Sequence, residues 1–176
     1  SLKLTSAWIQ QMAEQGWIVT ATDYAGLGTP PPFTYLEGQQ ETTDVVNSVR
    51  AAAELPDARA GTQWAVYGHS QGGHSALWTA ALAPGMAPEL KLVGAAAAAP
   101  AADLYATINQ QWDTTISWVI GPEVVVSWPD RYPELVASDV VSDAGLGATE
   151  SEAQDCLLDS GLFGLARQDL AKQTYF

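Results

Sequence analysis

Apolar residues recur along this chain with two different periods, and the alternation between them predicts its elements. Leu4, Trp8 and Met12, with Ile9 beside them, form one helical stripe that ends at Gly16. Trp17 to Thr22 is a nearly unbroken apolar and β-branched run, the pattern expected of a strand buried on both faces of a parallel sheet. Two glycines and Pro30 to Pro32 then make residues 23–32 a loop. A second amphipathic helix is predicted from Gly38 to Leu55, with Val45, Val49 and Ala52 on one face, Val46 and Ala53 alongside, and Pro56 as its stop. A strand follows at 63–69, then a helix to about Ala83 closed by Pro84-Gly85. A third strand of very small side chains follows from Leu90 to Ala97. Strand, helix, strand, helix, strand is the order of an α/β fold with a parallel sheet.

The pattern changes near Asp103. From there to Phe176 the chain reads as helical patches broken by Gly and Pro, with Val124-Val125-Val126 the one stretch of strand character. These residues read as a helical insertion, so the predicted organisation is a core over 1–102 and a helical unit over 103–176. The alanine run 95–99 is the only low-complexity segment.

Composition narrows the function classes. With 20 acidic and 7 basic residues the net charge is −13, which argues against a nucleic-acid partner and against adhesion to an anionic membrane surface. No apolar run reaches membrane-spanning length, so no integral membrane segment is expected. The single cysteine, Cys156, leaves no internal disulfide and no multi-cysteine metal site. No metal or cofactor is called for.

The most informative local feature is Gly68-His69-Ser70-Gln71-Gly72, where the apolar run Trp64 to Tyr67 hands over to the helix that follows. G-x-S-x-G in that context is a nucleophile elbow: a tight, strained strand-to-helix turn that exposes a serine hydroxyl. Small residues are expected at 68 and 72 to avoid clashes. The helix start directs unpaired N–H groups and a positive dipole end at the space above Ser70, and the Gln71 N–H is placed to donate to an oxyanion. A second donor from Asp23 or Tyr24 would complete a two-donor pocket, although Asp23 also suits the plain role of starting a turn. The only histidines, His69 and His74, adjoin the elbow. His69 points away from Ser70 by strand alternation, and His74 lies on a helix that packs against the sheet; a packing or hydrogen-bonding role suits both better than that of base. Eight aspartates follow Ser70, at 103, 113, 130, 139, 143, 155, 159 and 169, but no histidine follows any of them. A triad in the order Ser, acid, His is not completed by these residues. Trp112, Trp118 and Trp128 fit a core, with an acyl pocket as the alternative.

Three blocks together resemble the secretory lipase family, the lipase-A type of the α/β-hydrolases: Thr20 to Gly28, Val66 to His74, and Leu92 to Pro100. The likeness is good over roughly residues 4–103 and looser beyond. It implies an α/β-hydrolase core, incomplete here, with a mainly helical cap inserted after the strand that follows the elbow helix. It implies an exported enzyme that cleaves carboxylic esters, often acylglycerols. On the matching positions Ser70 is the nucleophile, and Asp23 with Gln71 forms the oxyanion hole; Tyr24 is a candidate substrate contact. The family's acid and histidine come after the cap, so they are expected from sequence beyond residue 176 or from another chain.

The leading expectation is therefore a serine carboxylesterase or lipase acting through an acyl-enzyme on Ser70. A non-catalytic unit that binds apolar ligands or a partner is the alternative, since the incomplete sheet has an edge that a second chain or self-association could pair. An esterase using His74 as its base is a third reading.

Overall fold

The structure is a computed structural model that describes residues 2–30, 32–111 and 117–154. Side chains are described for these except at 2–5, 117–120, 144, 148 and 151–154. The chain divides into two compact units at Ala102/Asp103.

In the first unit, helix α1 (Leu2–Glu14) ends where Gly16 takes a left-handed φ of 87°. Helix α2 (Gly38–Glu54) begins under Glu37, whose carboxylate accepts from the Gln40 amide at 2.6 Å. A carboxylate cap at this end also complements the helix dipole. Strand β1 (Gln63–His69) leads into helix α3 (Gln71–Met86), and strand β2 (Lys91–Ala98) returns parallel to β1, with Gln63 opposite Lys91 and His69 opposite Ala98. A register shift falls between Trp64 and Ala65. The β1–α3–β2 crossover is the α/β unit that the sequence predicts.

Along β1, Trp64 and Gly68 are buried and Val66 partly so, while Ala65, Tyr67 and His69 are exposed. The inward set packs against α2 and α3, in a core of Val46, Trp64, Ala83 and Ala87 ringed by Val45, Val49, Leu90 and Leu92. Burial of Val46 alone contributes about 2 kcal/mol. On the other face, Trp8 of α1 lies against Tyr67, their ring centroids 5.1 Å apart.

Two expectations for this unit need correction. Residues 17–22 are not a strand: they form no ladder with β1, and Trp17 and Ile18 are 51% and 45% exposed. A ladder needs a neighbouring backbone in register, and among the described residues the sheet has two strands only. Helix α3 also runs past Ala83 and contains Pro84. A proline near a helix end removes one hydrogen bond, and burial of Ala83 and Ala87 holds the last turn in place.

The second unit contains α4 (Leu104–Gln111), α5 (Ser117–Arg131), a short 3-10 turn (Ala137–Asp139) and α6 (Asp143–Gln154). Val124-Val125-Val126 lies within α5 and is not a strand. The buried positions 122, 123 and 127 recur at helical spacing where α5 packs on α6, so packing overrides the β-branched preference. Trp128 is half-buried and meets the Tyr132 ring edge-on. Leu4, Trp118 (as side chains), Trp112, Asp113 and everything from Asp155 onward, Cys156 included, lie outside the described residues.

Candidate active site

The turn at Ser70 is tight because β1 passes into α3 across one residue. A Cβ on Gly68 would lie 1.8 Å from the Gly72 carbonyl oxygen, backbone against backbone, so only glycine fits there. Position 72 is different from the sequence expectation: a Cβ would meet nothing nearer than the Tyr24 hydroxyl at 3.9 Å. The second steric glycine is Gly73, whose Cβ would sit 2.9 Å from Pro100 Cα and 3.0 Å from the Ala98 oxygen. Ser70 takes φ 57° and ψ −116°, a conformation that costs an L-residue on the order of 1–3 kcal/mol. It is held by its amide donating to the Ala98 carbonyl and by its carbonyl accepting from the His74 amide, both at 3.0 Å. The Ser70 side chain is exposed and does not cap α3, and its hydroxyl has no partner among the described residues.

The loop after residue 22 is built around a second left-handed residue, Tyr24 at φ 61°. The Tyr24 amide donates to Thr22 Oγ1 at 3.1 Å, the Ala25 amide to Asp44 Oδ2 at 2.9 Å, and the Gly26 amide to Thr29 Oγ1 at 2.9 Å. Gly26 is required as well, since its Cβ would stand 2.4 Å from Phe33 Cα. Of the two amides that the sequence leaves open as donors, Tyr24's is therefore occupied. Asp23, exposed, has no backbone acceptor among the described residues. The Tyr24 phenol is turned towards Gly72 and Ser75. Burial pushes its pKa up; the Ser75 hydroxyl opposes this, and the carboxylates of Glu41 and Asp44 add to the rise.

Gln71 does not extend into solvent. Its Nε2 donates at 2.9 Å to Oε1 of Glu41, a fully buried residue of α2 that also accepts from the Leu36 amide at 3.2 Å. Burial drives the Glu41 pKa up to about 7; the two hydrogen bonds oppose the shift, and Glu37 and Asp44 reinforce it. Its second oxygen, Oε2, is buried with no hydrogen-bond partner among the described residues. Glu41 and Asp44 are the residues that sequence reasoning missed. A signal was available: Glu41 stands four residues before Val45 and eight before Val49, on the apolar stripe of α2.

Neither histidine bonds to the Ser70 hydroxyl. His69 is exposed at the end of β1. His74 is 4% exposed, with Nδ1 at 2.9 Å from the Ala101 carbonyl and its ring centroid 6.1 Å from that of Trp78. Asp103 caps α4 by accepting from the Ala106 amide at 2.9 Å. Among the described residues, no three His, Cys, Asp or Glu side chains are grouped to hold a metal ion. No described helix is long and apolar enough to cross a membrane.

With this geometry in hand, the chain can be set beside known proteins. The family model described as secretory lipase matches residues 1–174. Lipase 5 of Candida albicans is 31% identical over 157 residues, covering 86% of this chain and 33% of that protein. Lipase 1 of the same organism is 28% identical over 162 residues, covering 88% of this chain and 34% of its own length. The secreted triacylglycerol lipase LIP1 of Malassezia furfur is 28% identical over 158 residues, covering 88% and 31%. The chain thus spans about one third of the length of the curated relatives it matches. No solved structure matches it significantly.

Proposed function

The chain belongs to the secretory lipase family, and on that premise we propose that it carries the nucleophile of an exported serine ester hydrolase with an α/β-hydrolase core. The observation that carries the reading is Ser70 itself. It is held in a strained turn at a helix start, and among the described residues no hydrogen bond engages its hydroxyl.

In the proposed reaction Ser70 Oγ attacks the ester carbonyl carbon, and the carbonyl electron pair moves onto oxygen. The N–H groups of Gln71 and Asp23 receive that oxyanion; each such donor contributes about 10²- to 10³-fold to the rate. Collapse expels the alcohol and leaves an acyl-Ser70, which water hydrolyses. A histidine takes the serine proton and passes it to the leaving alkoxide. His69 and His74 do not fit that role, because one sits off the site by strand alternation and the other is buried on the Ala101 carbonyl. The histidine and its acid are proposed to come from residues beyond 176 or from another chain. Residues 103–176 are read as a helical cap insertion. The substrate class is an acylglycerol-like carboxylic ester, a reading supported by the triacylglycerol lipase named among the relatives.

Incubating the full-length protein with a fluorophosphonate should label the peptide containing Ser70, as read by mass spectrometry. Ser70→Ala should abolish both labelling and ester hydrolysis, by at least about 10³-fold. A folded protein that hydrolyses esters with Ser70 unlabelled would exclude the reading.

A further inference from the structure

We propose that helix α2 positions both halves of the oxyanion pocket, Glu41 through the Gln71 side chain and Asp44 through the Ala25 amide, which makes these two carboxylates positioning residues for ester hydrolysis. The inference deepens, and rests on, the reading of Ser70 as nucleophile with Gln71 and Asp23 as donors.

Three observations converge on it. Glu41 and Asp44 are three residues apart on α2, a spacing that places side chains on neighbouring positions of one helix surface. From that surface Glu41 reaches Gln71, the residue after the nucleophile, and Asp44 reaches Ala25, two residues after Asp23. Second, among the described residues Asp44 is the one side chain outside the loop that bonds its backbone between residues 23 and 26; Thr22 and Thr29 supply the other side-chain bonds from within. Hydrogen bonds to a carboxylate are stronger than neutral ones, so this tie sets the position of the turn.

Third, Glu41 is a poor choice for stability alone. It is fully buried on an apolar stripe with one oxygen unpartnered, where an aliphatic residue would pack without a desolvation cost. Departures from local consistency of this kind concentrate at functional sites. Glu41 also holds Leu36, whose φ of 54° is strained, so one carboxylate secures the approach to α2 and the elbow together. Oxyanion donors act only when aimed at the developing charge, and small misplacements are costly in rate.

The test uses the full-length protein and a soluble short-chain p-nitrophenyl ester. Gln71→Leu keeps the backbone N–H but removes its anchor; kcat should fall roughly tenfold with KM within about twofold. Glu41→Leu should do the same, and the double variant should be no slower than the slower single, because both break one link. Glu41→Gln retains an acceptor oxygen and should keep kcat within about twofold. In Asp44→Ala the Asp23 amide resonance should move in NMR spectra, and in Gln71→Leu that of Gln71. Folded Gln71→Leu and Glu41→Leu proteins with unchanged kcat, or with fully multiplicative losses, would overturn the proposal. If Glu41→Leu does not fold, Gln71→Leu against Glu41→Gln decides. Absence of Ser70 labelling in the unmodified protein would sink the hydrolase reading instead, while unmoved amide resonances in the variants would sink the brace on their own.

Discussion

The two sides of the candidate site are shaped by opposite means. On the elbow side the chain is set by exclusion: Gly68 and Gly73 approach backbone so closely that no Cβ fits, and Ser70 is forced to positive φ between two parallel strands and a helix. On the loop side it is set by attraction. The described residues between 22 and 36 form no sheet or helix of their own, and two carboxylates of α2 hold them through the amides of Ala25 and Leu36. Exclusion acts both locally, between Gly68 and Gly72, and across the fold, between Gly73 and the chain at Ala98 and Pro100. Attraction spans 19 residues from Ala25 to Asp44 and 30 from Glu41 to Gln71. The backbone turn at Ser70 is thus set by sterics, whereas the loop and the Gln71 side chain depend on the charge state and placement of a helix distant in sequence.

The sharpest way to break this contrast is Gly68→Ala. A methyl group 1.8 Å from the Gly72 carbonyl oxygen meets rigid backbone rather than a side chain that could move, so stability should fall by about 3 kcal/mol or more. Gly72→Ala, with 3.9 Å of clearance, should change stability by no more than about 1 kcal/mol. Equal denaturation midpoints for the two variants would show that the elbow is not set by sterics.

The ties made by Glu41 should respond to pH where the steric contacts of the turn do not. The Glu41 pKa lies near 4.5 in the unfolded chain and about 7 in the fold. Between these values the native state holds a proton that the unfolded state has lost. Its contribution is therefore full below about pH 4.5 and declines as pH rises to 7, by about 3 kcal/mol. Denaturant titrations across that window should show the slope in the unmodified protein and lose it in Glu41→Gln. A Glu41→Gln profile that retains the slope would assign it to another group.

The smallest effect sharpens the meaning of strain. Arg59 shares positive φ, at 52°, with Ser70 but is exposed and distant in sequence from the pocket residues. Arg59→Gly should stabilise the fold by up to about 1 kcal/mol, visible as a small rise in melting temperature, and leave ester hydrolysis unchanged. A drop in activity would mean that strain at this turn also serves the site.

Much of this was legible along the chain, and the parts that were not share a cause. Periodicity locates α2, β1, the start of α3 and β2 because those elements bury one face against one another. It fails at Trp17 to Thr22, where apolar character predicts a strand although a strand also needs a partner to bond. It fails at Val124 to Val126 for a related reason: packing of α5 on α6 outweighs β propensity. The motif identified Ser70 and the steric glycine at 68, yet the close approach expected of Gly72 belongs to Gly73, since contact with Pro100 depends on where β2 ends.

Sequence by itself therefore determined strand β1, the start of helix α3 and the tight turn at Ser70 between them, because a G-x-S-x-G turn is a backbone solution encoded largely within five residues. Only the tertiary structure decided that the Tyr24 amide is already occupied, that the Gln71 side chain is anchored on Glu41, and that Asp44 ties down the facing loop. Those ties join residues far apart in the chain. A buried carboxylate's role is set by the donors that folding brings to it, which no spacing along the sequence specifies.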